Sequence, residues 1–279
     1  RDLVRSRGLG DVYKRQGVRI QSLNDKTWIV IDATPAQVWP LVRDYWTELQ
    51  IILDHEDPSN GIMETSWVEV GSSEDKRHKY KITIEPGLHS GYSEVYIIHL
   101  ENLNTEPVPI VISWPESSMS EDLERQILTS VSQYLADRND VYQASSASLL
   151  AGSIESESKV NLIENEDGDA ILELRLDFNR AWVQIRQALE TADVLILDSD
   201  RDRSIFNVQF AGIIEEDDAP GLIRRWFGGG AEDPNFRDFT VHVLEAEGVV
   251  NVTTEAIENF DESGQLTQEL LQVIDENLS

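Results

Sequence analysis

Two stretches of the chain read as copies of one another. The first runs Trp28-Ile29-Val30-Ile31, Asp32-Ala33-Thr34-Pro35-Ala36-Gln37-Val38-Trp39, Ile51-Ile52-Leu53-Asp54 and Asn60-Gly61-Ile62. The second runs Leu172-Glu173-Leu174-Arg175-Leu176, Asp177-Phe178-Asn179-Arg180-Ala181-Trp182, Leu195-Ile196-Leu197-Asp198 and Arg203-Ser204-Ile205. Trp39 with Trp182 and Ile62 with Ile205 stand at one offset: 182 − 39 and 205 − 62 are both 143. Solenoid units repeat every ~20–50 residues, so a period this long marks a duplicated domain.

The helix in each copy has a readable start. Thr34 is the cap, Pro35 takes the first helical position, and Gln37 sits where a capping box needs it. Val38, Trp39, Val42, Trp46 and Leu49 follow at helical spacing as one apolar stripe. Trp182, Ile185, Leu189 and Ala192 repeat it, with Asn179 as the expected cap.

Each copy then turns to strand. Tyr80, Ile82 and Ile84 alternate with Lys79, Lys81 and Thr83, and Phe239, Val241 and Val243 alternate with Thr240 and His242. A closing helix follows in each: Leu123, Ile127, Val131 and Tyr134 in the first, Leu266, Leu270, Ile274 and Leu278 in the second. The expectation is an α+β fold of two tandem domains, each β-α-β-β-β-β-α, with an antiparallel sheet packed on the closing helix. The domains are placed at residues 17–137 and 170–279. A Ser-rich, acidic linker at 138–169 separates them.

Composition bounds the function. The length of 279 residues suits about two domains, and the 40% hydrophobic share suffices for their cores. No apolar run is long enough for a transmembrane helix. With 52 acidic against 23 basic residues the net charge is −29, which opposes nucleic-acid binding. The lack of Cys excludes disulfides, thiol catalysis and Cys-held metal. Residues 1–16 carry five Lys or Arg and two Asp, contrary to the rest. They read as a non-native scar or a basic arm, outside the fold.

No catalytic constellation emerges. The five His have neither HExxH spacing nor a nucleophile-elbow partner, and read as surface or core filler. Asp198-Ser199-Asp200-Arg201-Asp202 begins like a calcium loop, but Arg203 stands where Gly is needed and Gln209 where Glu is needed. Asp54-His55-Glu56-Asp57 is its counterpart in the first copy. Both read as solvated loops, and Trp39 and Trp182 as core. Neither cofactor nor metal is expected. Gly228-Gly229-Gly230 lacks the Lys-Ser or Lys-Thr of a phosphate loop. The segment before it, with Arg224, Arg225, Trp226 and Phe227, is an insertion with no counterpart in the first copy. Trp and Arg are common interface anchors, so these four are the candidate partner-binding residues. The alternative is that Leu222, Trp226 and Phe227 fold back on their own domain.

The Gly17-Val18-Arg19-Ile20 start, the TPxxVW string at 34–39 and the NGxxxTxWVE string at 60–69 together resemble the BamC (NlpB/DapX) family. These are outer-membrane lipoproteins of the β-barrel assembly machinery. The resemblance implies two helix-grip domains and a non-enzymatic accessory subunit acting through protein contacts. It implies an outer-membrane location, on the periplasmic side or the surface. It also implies a lipidated N-terminal Cys and a BamD-docking segment, both upstream of residue 17, with other barrel-assembly subunits as further partners. The alternative is a helix-grip module holding a small apolar ligand between sheet and closing helix.

Overall fold

The computed structural model describes residues 17–69, 75–138, 158–165, 168–212, 236–258, 260 and 263–278. The chain divides into two compact units, Arg1–Ser158 and Lys159–Ser279. The first holds β1 (Val18–Leu23), β2 (Lys26–Ile31), α1 (Pro35–Glu48), β3 (Leu53–Asp57), β4 (Ile62–Thr65), β5 (Lys76–Pro86), β6 (Ser93–Leu103) and α2 (Glu121–Asp137). The second holds β7 (Val160–Glu164), β8 (Ala170–Leu174), α3 (Phe178–Thr191), β9 (Leu195–Asp200), β10 (Ile205–Phe210), β11 (Arg237–Ala246), β12 (Val249–Ala256) and α4 (Ser263–Asn277).

Each unit has one six-stranded antiparallel sheet, ordered β1-β2-β6-β5-β4-β3 and β7-β8-β12-β11-β10-β9. The orders are the same, so the duplication extends to topology, and the α+β expectation is met. Each unit has one strand more than the sequence suggested. In the first, Val18 pairs with Ile31 to open a β1–β2 hairpin. In the second, Val160–Glu164 pairs with β8 although it falls inside the stretch assigned to the linker. It is only five residues long, and its turn is built from Asn165, Asp169 and Gly168 at φ 87°. Such composition reads as linker until its partner strand is known. The second unit therefore begins at Lys159 rather than residue 170.

The helix starts follow capping chemistry. The Thr34 N–H donates to Gln37 Oε1 at 3.0 Å, closing the expected box. In α3 the cap is Asp177, not Asn179: its carboxylate accepts from the Arg180 N–H at 3.0 Å. A charged acceptor at the positive end of the helix adds attraction that an amide lacks.

The helix ends are copies too. The Ile51 N–H reaches the Trp46 carbonyl at 2.9 Å, and the Val194 N–H reaches the Leu189 carbonyl at 2.9 Å. These are Schellman turns, which need a left-handed residue after the cap. Gln50 (φ 58°) and Asp193 (φ 56°) supply it without being glycine. The turn ends the stripe at Leu49, which is exposed, and aims the chain into β3 or β9.

The core of the first unit joins Val38, Val42, Tyr45 and Trp46 of α1 to Ile82 and Ile84 of β5 and to Leu128, Val131 and Leu135 of α2. The expected stripe is only part of the core face of α2: Ile127 and Tyr134 pack against the core half-buried, and Leu128 and Leu135 on the other side of Val131 are the more deeply buried. In α4, Leu270 and Ile274 are buried as expected, with Leu271 beside them, and Leu278 just past its end is buried too.

Candidate functional site

The four sequence-chosen residues, Arg224, Arg225, Trp226 and Phe227, lie outside the described residues, as do residues 1–16 and 139–157. Both ends of their connection are described: Phe210 and Arg237 are register partners at the end of the β10–β11 pair. The two acidic runs are mostly strand rather than loop: Asp54–Asp57 lie in β3 and Asp198–Asp200 in β9, because each pairs with the next strand, and each run ends at a hairpin turn. Asp57 accepts the Ser59 and Asn60 N–H groups, each at 3.2 Å, and the hydrogen bond from the Asn60 side chain leads in holding its carboxyl below the usual range. Asp200 accepts the Arg203 N–H at 3.0 Å. Trp39 and Trp182 are buried, as read.

Beside the second of these turns the structure opens a groove of about 510 Å³. One wall is α3, with Arg186 and Glu190, and the other is residues 193–199 leading through β9. Asp193 of the Schellman turn lines it too. β9 is an edge strand and, among the described residues, pairs only with β10. Leu195 and Leu197 are 44% and 48% exposed on it. Arg186 donates to Ser199 Oγ at 2.6 Å and stands 5.6 Å from the Phe206 ring. Among the described residues no carboxylate pairs with it.

The offset of 143 locates the same place in the first domain. Arg43 corresponds to Arg186 and Glu56 to Ser199. Arg43 Nε donates to Glu56 Oε2 at 2.7 Å, so an ion pair spans α1 and β3 there. Both edge strands carry a register irregularity, at Asp54 in β3 and at Leu197 in β9. Asp54 turns to the buried ammonium of Lys79 at 2.9 Å, and Lys79 also donates to the Thr65 carbonyl at 2.5 Å. Leu197 has no such partner and stays half in solvent.

A polar cluster in the first domain escaped the sequence reading. The β5–β6 register puts His78 opposite Glu101 and Tyr80 opposite His99. His78 Nδ1 and His99 Nε2 share a hydrogen bond at 2.9 Å, and both rings are buried. Burial pushes the His99 imidazole down to about 4, with the neighbouring His78 adding to it; burial likewise lowers His78. Both imidazoles are therefore neutral at pH 7. Donor atoms of His78, His99 and Glu101 lie within 4.8 Å of one another, a spacing that a transition metal could bridge. Against that use, Lys76 already holds the Glu101 carboxylate and the two imidazoles already hold each other. Tyr80 stacks between Trp46 and His99, at 5.9 and 5.3 Å. Along this row Trp46 Nε1, the Tyr80 hydroxyl and His99 Nδ1 are buried without a hydrogen-bond partner. Burial pushes the Tyr80 phenol up to about 12.

The family model described as "Outer membrane protein assembly factor BamC-like N-terminal domain" matches residues 15–111. The chain is 28% identical over 214 residues to a Thiobacillus denitrificans protein named Outer membrane protein assembly factor BamC, covering 69% of this chain and 56% of that one. An Accumulibacter regalis protein of the same name is 25% identical over 214 residues, covering 69% and 55%. An uncharacterized protein of Neisseria meningitidis serogroup B is 27% identical over 281 residues, covering 89% and 67%. The chain thus spans little more than half the length of the first two relatives.

Proposed function

We propose, from the match of residues 15–111 to the BamC-like N-terminal domain model, that this chain is the folded part of an accessory subunit of the outer-membrane β-barrel assembly machinery. It acts through protein contacts rather than catalysis. The observation that carries the reading is the match over residues 15–111, extended by relatives that align with 69% of the chain and bear the assembly-factor name. The subunit works at the outer membrane, held there by an N-terminal lipid. It meets BamD through a segment upstream of residue 17, and the two duplicated domains serve as protein-contact scaffolds. The mutual pairing of His78 with His99 and of Lys76 with Glu101 suits a structural role for this polar cluster.

The small-ligand alternative requires room between sheet and closing helix. Leu128, Val131 and Leu135 of α2, and Leu270, Leu271 and Ile274 of α4, occupy that layer at 2% exposure or less. The groove that does open lies elsewhere, at β9. The test of the assembly reading is affinity purification of the full-length protein from its membrane. Barrel-assembly subunits, BamD among them, should co-purify. Recovery in the soluble fraction with none of them would sink it.

A further inference from the structure

We propose that the groove between β9 and α3 docks an extended polypeptide segment of another protein, rich in alternating apolar side chains and carrying Lys or Arg, which adds to the sheet as a strand beyond β9. The inference does not rest on the assembly reading. It rests on what the second domain lacks at a place where the first is guarded.

An edge strand offers unpaired backbone N–H and C=O groups, and folded proteins protect such edges with charge. β3 is protected in this way. Its sequence is Leu53-Asp54-His55-Glu56-Asp57, with Asp54 pinned by Lys79 and Glu56 by Arg43. β9 occupies the same edge of the same topology, yet Leu197 replaces Asp54 and Ser199 replaces Glu56. Two charges that blunt the first edge are gone from the second. Leu197 stands exposed in place of Asp54, two residues from exposed Leu195, whose counterpart Ile52 is exposed as well, on a chain whose net charge is −29.

The shape and charge of the groove select the occupant. Six residues of β9 present an edge about 20 Å long, the length of an ordinary strand. The helix wall beside it gives the strand-and-helix cleft used in β-augmentation, where main-chain bonds supply affinity and alternate side chains supply specificity. Glu190, Asp193 and Asp198 outnumber Arg186 along the lining, so the groove favours basic side chains. The Arg186 guanidinium, engaged only with Ser199 and Phe206 among the described residues, has N–H groups to offer a backbone carbonyl of the incoming strand.

The test uses the whole chain and a fluorescein-labelled nine-residue peptide of alternating Val and Lys, read by anisotropy. The peptide should bind saturably, and N-methylation of alternate residues, which keeps its charge but blocks strand pairing, should weaken it by about tenfold or more. Leu197→Ser and Ser199→Glu should each weaken it by a similar factor while leaving the melting temperature within ~2 °C, as expected of surface positions. Amides of residues 195–200 should gain hydrogen-exchange protection with the peptide. Failure to bind, or equal binding of the N-methylated peptide, overturns the proposal. So does binding that appears only after removal of residues 219–227, since the chain's own basic-aromatic segment would then be the occupant.

Discussion

The two domains share a topology and differ in where they place polar groups. The first domain keeps them inside: the Lys79 ammonium, paired with half-exposed Asp54, His78 against His99, and three unpartnered polar atoms along the Trp46–Tyr80–His99 row. The second puts hydrocarbon at two of these stations and an exposed carboxylate at the third, while burying Arg180 and Gln184 elsewhere. Pairing of Met63 with Ile82 and of Phe206 with Val241 sets the offset on the third strand at 159 (241 − 82). Phe239 then stands for Tyr80 and Asp238 for Lys79, while Leu189 stands for Trp46 at the helix offset of 143. Phe239 packs edge-on against Phe210 and Phe260, at 6.3 and 6.2 Å. The difference teaches that this architecture accepts either interior, and that edge protection can be relaxed in one copy while the other stays guarded.

Lys79 should break the comparison most sharply. Lys79→Ala removes the buried partner of half-exposed Asp54 and of the Thr65 carbonyl, and should cost about 2 kcal/mol in denaturant unfolding. Asp238→Ala at the matching, exposed site should change stability by less than ~0.5 kcal/mol. Equal losses at the two sites would show that the domains do not differ as described.

Acid should separate the domains next. The folded-state pKa of both His78 and His99 lies below the ordinary 6.5, so the unfolded chain binds protons first. The stability tied to these imidazoles is whole above pH 6.5 and is lost as the pH falls toward about 4. The loss should approach ~2–3 kcal/mol in the first domain at pH 4 relative to pH 7. Denaturation of the parent and of His99→Gln at both pH values isolates it: the variant should show a flatter profile, and an unchanged profile refutes the account.

The smallest effect is a gain. Tyr80→Phe removes a buried hydroxyl that has no partner, and should stabilise the first domain by about 1 kcal/mol. The reverse exchange, Phe239→Tyr, should destabilise the second by a comparable amount. A Tyr80→Phe protein less stable than its parent would mean that the hydroxyl is satisfied after all.

How much of this was legible in the sequence depended on range. The capping box at Thr34 and Gln37, and the Val38–Trp39–Val42–Trp46 stripe, are local patterns, and the structure shows both. The face of α2 was harder. Leu123, Ile127, Val131 and Tyr134 form one stripe and Leu128, Val131 and Leu135 another that overlaps it at Val131; both face the core, and periodicity alone could not show that the second is the more deeply buried. In α4 the intended stripe has fewer rivals, and three of its four members are buried. The His78–His99 contact joins residues 21 apart through hairpin register, which composition does not reveal. The groove needed three things together: the left-handed Asp193, the edge position of β9 and the loss of a partner for Arg186. Only the last has a trace in sequence, the exchange of Glu56 for Ser199 across the repeat.

The pairing of Phe210 with Arg237 has a further consequence. The sheet brings both feet of the β10–β11 connection side by side and fixes them there, whatever hangs between. In the first domain β4 ends at Thr65 and β5 begins at Lys76, a span of ten residues (75 − 65); the matching span in the second is 26 (236 − 210). Closing the longer loop costs under ~1 kcal/mol more, because the entropy grows only with the logarithm of length. Duplication thus left the chain a nearly length-neutral doorway, where a recognition segment can be gained, exchanged or discarded without retuning either core.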